Sequence, residues 1–259
     1  MSIGPPLYFR ELGDTQKPVL CLMHGLFGSS ANWMGIVRRL QTDFRIINLD
    51  LRNHGKSPHY REMDYPLMVD DLLALLEFLD LQTVSLLGHS MGGKVAMLTA
   101  LMHPERVEKL LVADIAPLTY ENRFASIFKG LQTMPLQQLQ SRDEADQHLS
   151  RYVSQPGVRQ YLLQNLLKQD QQWGWRFNLQ SLRAAMPALV GFPVHGRSAF
   201  PGDALFIHGE HSNYVNEQAI GIIDSMFPHN RRRMIHGAGH WLYAEQPVAF
   251  AQAVSRFLA

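Results

Sequence analysis

The first half of the chain alternates short apolar, β-rich runs with segments of helical periodicity. The apolar runs predict strands at residues 19–23, 44–49, 84–87 and 110–113. Leucines at helical spacing predict a helix over 70–79, and a second apolar helix over 91–102 ends before Pro104. Alternation of this kind predicts an α/β fold with a mostly parallel sheet and helices on both of its faces.

The alternation stops after Pro117. Residues 118–202 are helical, Gln-rich and aromatic in pattern, without a convincing central strand. A strand, a helix, a strand and a helix are then predicted at 204–208, 216–226, 232–235 and 248–258. We therefore expect residues 1–117 and 203–259 to form one α/β core, with residues 118–202 as a helical cap over the carboxyl edge of its sheet.

Composition restricts the possible partners. The chain has 24 Lys and Arg against 23 Asp and Glu, a formal net charge of +1, so no global field favours nucleic acid or an anionic membrane. The arginines at 231–233 have no interleaved aromatic residues and predict a solvated sheet end. Because no apolar run is long enough to span a membrane and residues 1–12 lack a signal-peptide pattern, we expect a cytoplasmic protein acting on a small molecule.

The single cysteine, Cys21, lies in an apolar run, which predicts a buried, unreactive thiol.

A candidate nucleophile lies in residues 84–93, where an apolar strand leads into Gly-His-Ser-Met-Gly-Gly and then into an apolar helix. A serine at such a sharp turn, here Ser90, has a strained backbone that costs roughly 1–3 kcal/mol and lifts its hydroxyl above the sheet edge. Gly88 and Gly92 avoid a collision across the turn, and the Met91 N–H points to where an oxyanion would form. The Gly-x-Ser-x-Gly pattern alone is weak, but the strand before it and the helix after it disfavour a simple flexible turn.

A second oxyanion donor would come from the loop after the first apolar strand, residues 24–28 (His-Gly-Leu-Phe-Gly). The Leu26 N–H is the first choice, and the Phe27 N–H is the alternative. His24 could be read as a base, but a strand-end histidine ahead of a glycine favours a structural role in which its side chain pins the loop.

The candidate general base is His240, in a late loop after a strand, residues 235–241 (Ile-His-Gly-Ala-Gly-His-Trp). Gly237 and Gly239 allow this loop to turn the imidazole back over the sheet, whereas His236 lies on the strand side and faces elsewhere. The spacing of the two histidines imitates a helical metal site, but the glycines argue against a helix. Neither a metal nor a cofactor is expected.

The acid that would orient His240 has two candidates, each at the end of a predicted strand. Asp114 follows the apolar run 111–113, and Glu210 lies in His-Gly-Glu-His-Ser at 208–212. Asp114 is favoured because its side chain is shorter and its strand should be central, but the residues alone leave both candidates open.

Four segments together resemble the α/β-hydrolase family, and the resemblance covers essentially the whole chain. In family order they are His24-Gly25-Leu26, Asp50-Leu51-Arg52-Asn53-His54-Gly55-Lys56-Ser57, Gly88-His89-Ser90-Met91-Gly92-Gly93 and Gly237-Ala238-Gly239-His240-Trp241. More narrowly, the chain resembles the group of bacterial YbfF-type and mitochondrial ABHD11-type esterases. This resemblance implies hydrolysis of a carboxylic ester or thioester, such as an acyl-CoA, through an acyl-serine intermediate and without a cofactor.

The resemblance also bears on the acid. Most of the family places it in Gly-x-x-Asp after the penultimate strand, and that register here gives residues 209–212, with Ser212 in place of the aspartate. The narrower group instead carries its acid in a context similar to residues 112–117, which implies Asp114.

Substrate-binding residues are implied less strongly. The group's Ser-x-Tyr-Val element is similar to residues 212–215, which implies that Tyr214 lies near the pocket. Arg123, at the start of the cap, is a weaker pocket candidate, and a solvated surface arginine is an equally good interpretation. Trp173 and Trp175 are more simply explained as packing residues, with substrate contact as the alternative.

Two other functions share these residues. A carbon-carbon bond hydrolase could use Ser90 and His240 differently, and a non-catalytic ligand receptor could keep the same scaffold. A haloalkane dehalogenase is excluded more firmly, because such enzymes of this fold carry an aspartate where this chain has Ser90.

Overall fold

The computed structural model describes residues 4–193 and 199–259, so the parts of the predicted core and cap that fall on residues 1–3 and 194–198 lie outside the described chain. The described strands, in chain order, are β1 Phe9–Leu12, β2 Val19–Met23, β3 Arg45–Leu49, β4 Val84–His89, β5 Val107–Ala113, β6 Leu166–Gln169, β7 Gln172–Trp175, β8 Asp203–Gly209 and β9 Asn230–Ile235.

Seven of these strands form one central sheet in the order β1-β3-β2-β4-β5-β8-β9. Neighbouring strands run parallel, except that β1 is antiparallel to β3. All six residues of β4 are buried, as expected for a parallel strand covered on both faces. The prediction of a mostly parallel α/β sheet is confirmed, and its carboxyl edge brings the ends of β2, β4, β5 and β8 side by side.

Helices cover both faces of the sheet. The described helices are α1 Met34–Leu40, α2 Tyr65–Phe78, α3 Met91–Met102, α4 Ala125–Gln132, α5 Arg142–Ser150, α6 Pro156–Leu163, α7 Leu179–Val190, α8 Glu217–Met226, α9 Leu242–Glu245 and α10 Pro247–Leu258. Within the described ranges, no helix combines the length and the apolar character needed to cross a membrane.

The side chains of β2 show how the two layers of the core are divided. Leu20 and Leu22 point to the layer that contains α1 and α10, whereas Cys21 and Met23 point to the layer that contains α2 and α3. The Cys21 thiol is fully buried, and burial raises its pKa to about 12, so it is unreactive as expected.

Several predicted boundaries differ from the structure by a few residues. The helix predicted at 70–79 begins earlier, at Tyr65, because Asp64 caps it by accepting a hydrogen bond from Leu67 N (2.9 Å). The strand predicted at 232–235 begins earlier, at Asn230, so all three arginines at 231–233 lie within the edge strand β9. They are exposed, and Arg232 pairs with Asp224. Exposed charges of this kind keep an edge strand solvated.

The chain between β5 and β8 was expected to be helical, and besides its helices it also contains two short strands that the sequence did not predict. Its described part carries α4 to α7 and also an antiparallel hairpin of β6 and β7. Asp170 and Gln171 join the two strands at φ 47° and 66°, in the left-handed conformation of a two-residue turn. Neither residue is the glycine that usually marks such a turn, which is why periodicity alone missed the hairpin.

Candidate active site

Ser90 lies at the turn between β4 and α3, with φ 52° and ψ −115°. This is a strained conformation for a residue with a side chain. A Cβ atom on Gly88 would overlap the carbonyl oxygen of Gly92, and one on Gly92 would lie 2.5 Å from the Met23 oxygen. The turn is therefore possible only with both glycines, as the sequence pattern predicted. The Ser90 N–H donates to the Ala113 oxygen (2.9 Å), which ties the turn to the end of β5.

The loop at 24–28 passes directly beside Ser90. A Cβ atom on Gly25 would lie only 3.3 Å from Ser90 Cβ. The Phe27 N–H, the alternative oxyanion donor, already donates to His54 Nε2 (3.1 Å). Within the described residues, the N–H groups of Leu26 and Met91 have no acceptor, so both are available to a ligand.

His24 and His54 are used in holding this loop. His24 Nε2 accepts from Leu51 N (3.0 Å) and its Nδ1 donates to the Gly25 oxygen (2.8 Å). His54 likewise accepts from Phe27 N and donates through Nδ1 to the Arg52 oxygen (2.9 Å). Because a backbone N–H can only donate, both rings are neutral Nδ1–H tautomers, and burial lowers the pKa of both.

His240 follows β9 on a loop that bends at Gly237, whose φ is 67°. Its Nδ1 lies 2.6 Å from Asp114 Oδ2. Its carbonyl oxygen accepts from His89 Nε2 (2.8 Å), and Glu245 accepts from the N–H groups on either side, Gly239 (2.5 Å) and Trp241 (3.2 Å). Hydrogen bonds on both the ring and the backbone therefore hold the imidazole in place.

Asp114 ends β5 with φ 54° and has no exposed surface. Its Oδ1 accepts from Gly209 N (3.1 Å), and its Oδ2 accepts from Ser212 Oγ (2.5 Å) and contacts His240 Nδ1. A carboxylate with three such partners is held in one orientation in spite of its burial. Ser212 was seen in the sequence only as a departure from the family pattern, and the structure shows that its hydroxyl completes the shell around Asp114.

Glu210, the other acid candidate, lies on the outside of the His240 loop. Its Oε2 accepts from Gly237 N (2.8 Å), and its Oε1 is 3.6 Å from His236 Nδ1. The Gly237 N–H lowers the pKa of the Glu210 carboxyl, with smaller effects from His236 and His211. The structure therefore joins Asp114, and not Glu210, to the His240 ring.

Ser90 and His240 line one cavity of about 690 Å³ between the sheet edge and the segment 118–202. No hydrogen bond joins the two side chains among the described residues, and such a contact commonly tightens only when substrate is bound. Most of the cavity wall is apolar, and its apolar residues come from both the core and the insertion: Leu26, Phe27, Met91, Ile115, Phe124, Ile127, Val158, Leu162, Met186, Leu189, Val190 and Trp241.

Tyr214 and Arg123 both line this cavity. The Tyr214 ring stacks on the His240 ring, with centroids 4.3 Å apart and an interplanar angle of 27°. Arg123 is largely exposed and pairs with Glu121 (2.8 Å), so its charge is partly balanced at the cavity mouth. Trp173 and Trp175 are not among the residues that line the described cavity, which favours their interpretation as packing residues.

Lys94 is a buried group of the cavity that the sequence did not single out. Its ammonium donates to the oxygens of Val190 (2.9 Å) and Gly191 (2.6 Å) at the end of α7, and it lies 4.9 Å from the centroid of the Tyr120 ring. Burial lowers the pKa of Lys94 to about 7. Across residues 4–193 and 199–259, no group of three or more His, Cys, Asp or Glu side chains is arranged to hold a metal ion.

Comparisons with known proteins agree with the observed fold. A family model described as the alpha/beta hydrolase fold matches residues 18–247, and the chain belongs to this family. The sn-1-specific diacylglycerol lipase ABHD11 of Mus musculus is 37% identical over 263 residues, covering 98% of this chain and 85% of the mouse protein. Esterase YbfF of Escherichia coli (strain K12) is 37% identical over 240 residues, covering 92% of each chain. A solved marine microorganism esterase has a TM-score of 0.94 at 34% identity, covering 98% of this chain and all of that one.

Proposed function

We propose that this protein hydrolyses carboxylic esters through an acyl-enzyme formed on Ser90. The observation that carries the proposal is the 2.6 Å contact between His240 Nδ1 and the buried Asp114 carboxylate. His240 and the strained Ser90 line the same cavity. Relatives named as esterases and lipases, similar along nearly the whole chain, support the same reaction.

In the first half of the reaction, His240 Nε2 removes the proton from Ser90 Oγ as that oxygen attacks the substrate carbonyl carbon. The carbonyl oxygen becomes an oxyanion, which accepts hydrogen bonds from the N–H groups of Leu26 and Met91. Asp114 stabilises the imidazolium and keeps its Nδ1 protonated. The imidazolium then gives its proton to the leaving alkoxide, and the alcohol departs.

In the second half, water attacks the acyl-Ser90 carbonyl while His240 again accepts a proton. A second tetrahedral intermediate collapses, Ser90 Oγ regains a proton from the imidazolium, and the carboxylic acid is released. The two halves use the same residues in the same roles, so no further catalytic group is required.

The apolar wall of the cavity favours an aliphatic acyl chain. Tyr214, stacked on His240, would contact the substrate beside the reacting bond, and Arg123 would contact it at the mouth. A thioester such as an acyl-CoA could react by the same steps. Since Glu121 partly balances the Arg123 charge, the described residues of this mouth offer little attraction for phosphate groups, and we therefore place esters first.

The test is a comparison of wild type with Ser90→Ala on a short p-nitrophenyl ester, together with labelling by a fluorophosphonate. Ser90→Ala should lower kcat by about 10⁴-fold or more and abolish labelling without changing the circular dichroism spectrum. His240→Ala should lower kcat nearly as much, and the double variant should be little worse than either. A Ser90→Ala variant that retains activity within tenfold of wild type would refute the acyl-Ser90 route.

The same assays separate the rival functions. A carbon-carbon bond hydrolase would turn over a β-diketone while leaving simple esters untouched, and a non-catalytic receptor would bind esters without releasing product. A chain-length series of esters and acyl-CoA thioesters would then identify the leaving group and the preferred acyl length.

A further inference from the structure

Helix α6 and the residues just after it reach from the insertion to the loop that carries the Leu26 N–H. The Tyr161 hydroxyl donates to the Leu26 carbonyl oxygen (3.0 Å). The Asn165 side-chain amide donates to the Phe27 carbonyl oxygen (2.6 Å), and Asn165 is buried. Two consecutive carbonyls of this loop are therefore held by side chains more than 130 residues away in the sequence.

These contacts, added to those of the core, restrain each peptide group of the loop. The Leu26–Phe27 peptide is held at its oxygen by Tyr161 and at its N–H by His54. The preceding peptide has its oxygen, that of Gly25, turned towards His24 Nδ1 (2.8 Å) and Gly28 N (2.9 Å). Because the C=O and N–H of a trans peptide point in opposite directions, the Leu26 N–H is directed away from both of these donors.

Close packing around the loop at 24–28 also restricts its conformation. A Cβ atom on Gly28 would lie 2.6 Å from the Tyr161 hydroxyl, so the tyrosine contacts the loop at that residue too. The Tyr161 ring also packs on the Trp241 ring, with centroids 5.4 Å apart, and Trp241 directly follows His240. Tyr161 lines the cavity as well. From the substrate side it therefore contacts both the oxyanion loop, residues 24–28, and the loop that carries His240.

We propose that Tyr161 and Asn165 are positioning residues of the oxyanion hole, which fix the Leu26 N–H through hydrogen bonds to the Leu26 and Phe27 carbonyls. This inference rests on the proposed function, because it presumes an oxyanion at Ser90. The core supplies the donor, and the insertion supplies the restraint that aims it. The insertion then has a part in the chemical step in addition to enclosing the substrate.

The size of the effect follows from what an oxyanion donor contributes. Complete loss of one donor lowers kcat by about 10²–10³-fold, and a donor left in place but poorly aimed should lose only part of this. Tyr161→Phe removes one hydroxyl and keeps the ring on Trp241, so we expect kcat to fall by about 10-fold with KM changed less than threefold. Asn165→Leu should act similarly, and the double variant should approach 10²-fold.

The experiment compares kcat/KM for a p-nitrophenyl ester with the inhibition constant of an alkyl trifluoromethyl ketone, whose adduct with Ser90 carries an oxyanion. Across wild type, Tyr161→Phe, Asn165→Leu and the double variant, the inhibition constant should rise in proportion to the loss of kcat/KM. The matched control is Ser181→Ala, which removes another hydrogen bond between insertion and core, to the Tyr60 carbonyl oxygen (2.7 Å), at a residue that lines neither the cavity nor the loop at 24–28. It should change both quantities less than twofold.

Three results would overturn the inference. One is a set of folded variants with wild-type kcat and wild-type inhibition constant. The second is a fall in kcat/KM with no change in ketone affinity, and the third is an equal fall in Ser181→Ala; either would mean a merely structural role. Ser90→Ala, assayed beside them, keeps the two proposals apart: if it stays active the proposed function fails, and if it is inactive while Tyr161→Phe is normal only the positioning role fails.

Discussion

The assignment of the acid can be tested by replacing Asp114 with asparagine. In the wild type, the carboxylate accepts from Gly209 N, from Ser212 Oγ and from His240 Nδ1. An asparagine that keeps its oxygen towards Gly209 N must present its amide N–H₂ to the other two partners. His240 Nδ1 would then have to accept, which places the ring proton on Nε2, the atom that must take the proton of Ser90.

The expected loss in kcat is up to about 10⁴-fold near neutral pH, or roughly 5.5 kcal/mol of transition-state stabilisation. Since asparagine has nearly the same shape as aspartate, the fold should survive. The assay is kcat on a p-nitrophenyl ester at matched folded concentration, with circular dichroism and thermal unfolding to detect any loss of structure.

Glu210→Gln is the matched control, because it makes the same chemical change in the other candidate. Glu210 holds Gly237 and does not touch the His240 ring, so this variant should lose less than tenfold in kcat. If Glu210→Gln lost more activity than Asp114→Asn, the reasoning from hydrogen-bond geometry would be refuted and the acid would move to Glu210.

Two further predictions concern interactions that only the structure revealed. Ser212→Ala removes one of three partners of the Asp114 carboxylate, so kcat should fall by about 10-fold with an unchanged fold, and wild-type kcat would show that this hydroxyl is dispensable. Lys94 in the folded protein loses its proton near pH 7, whereas its ordinary pKa is 10.5, so the unfolded chain binds more protons between these values and stability rises with pH. Chemical unfolding at about pH 7.5 and 9.5 should show wild type gaining roughly 2 kcal/mol relative to Lys94→Met, and equal changes in the two proteins would contradict a lowered pKa for Lys94.

Features that depend on a few adjacent residues could be read from the sequence. The turn at Ser90 needs glycine at 88 and 92 because backbone atoms would otherwise collide within one turn of chain, and that requirement is written in the local pattern. The central strands β2, β4, β5 and β8 were predictable for a similar reason, since a parallel strand buried on both faces forms an apolar run, whereas the edge strand β1 was not predicted. The hairpin of β6 and β7 shows the limit of such reasoning, because its turn residues, Asp170 and Gln171, lack the usual glycine.

Other features were decided only by tertiary structure. Asp114 and Glu210 both follow strands, and the chain order does not say which of them meets His240, 126 residues beyond Asp114. That contact depends on how the loop after β9 folds over the sheet edge. Glu210 accepts a hydrogen bond from Gly237 N on the outer side of this loop, and Asp114 contacts the His240 ring on the inner side. The contact of Tyr161 with the Leu26 carbonyl is of the same kind. A hydrogen bond between distant segments requires two surfaces to dock at the right distance, and periodicity along one segment carries no information about that distance.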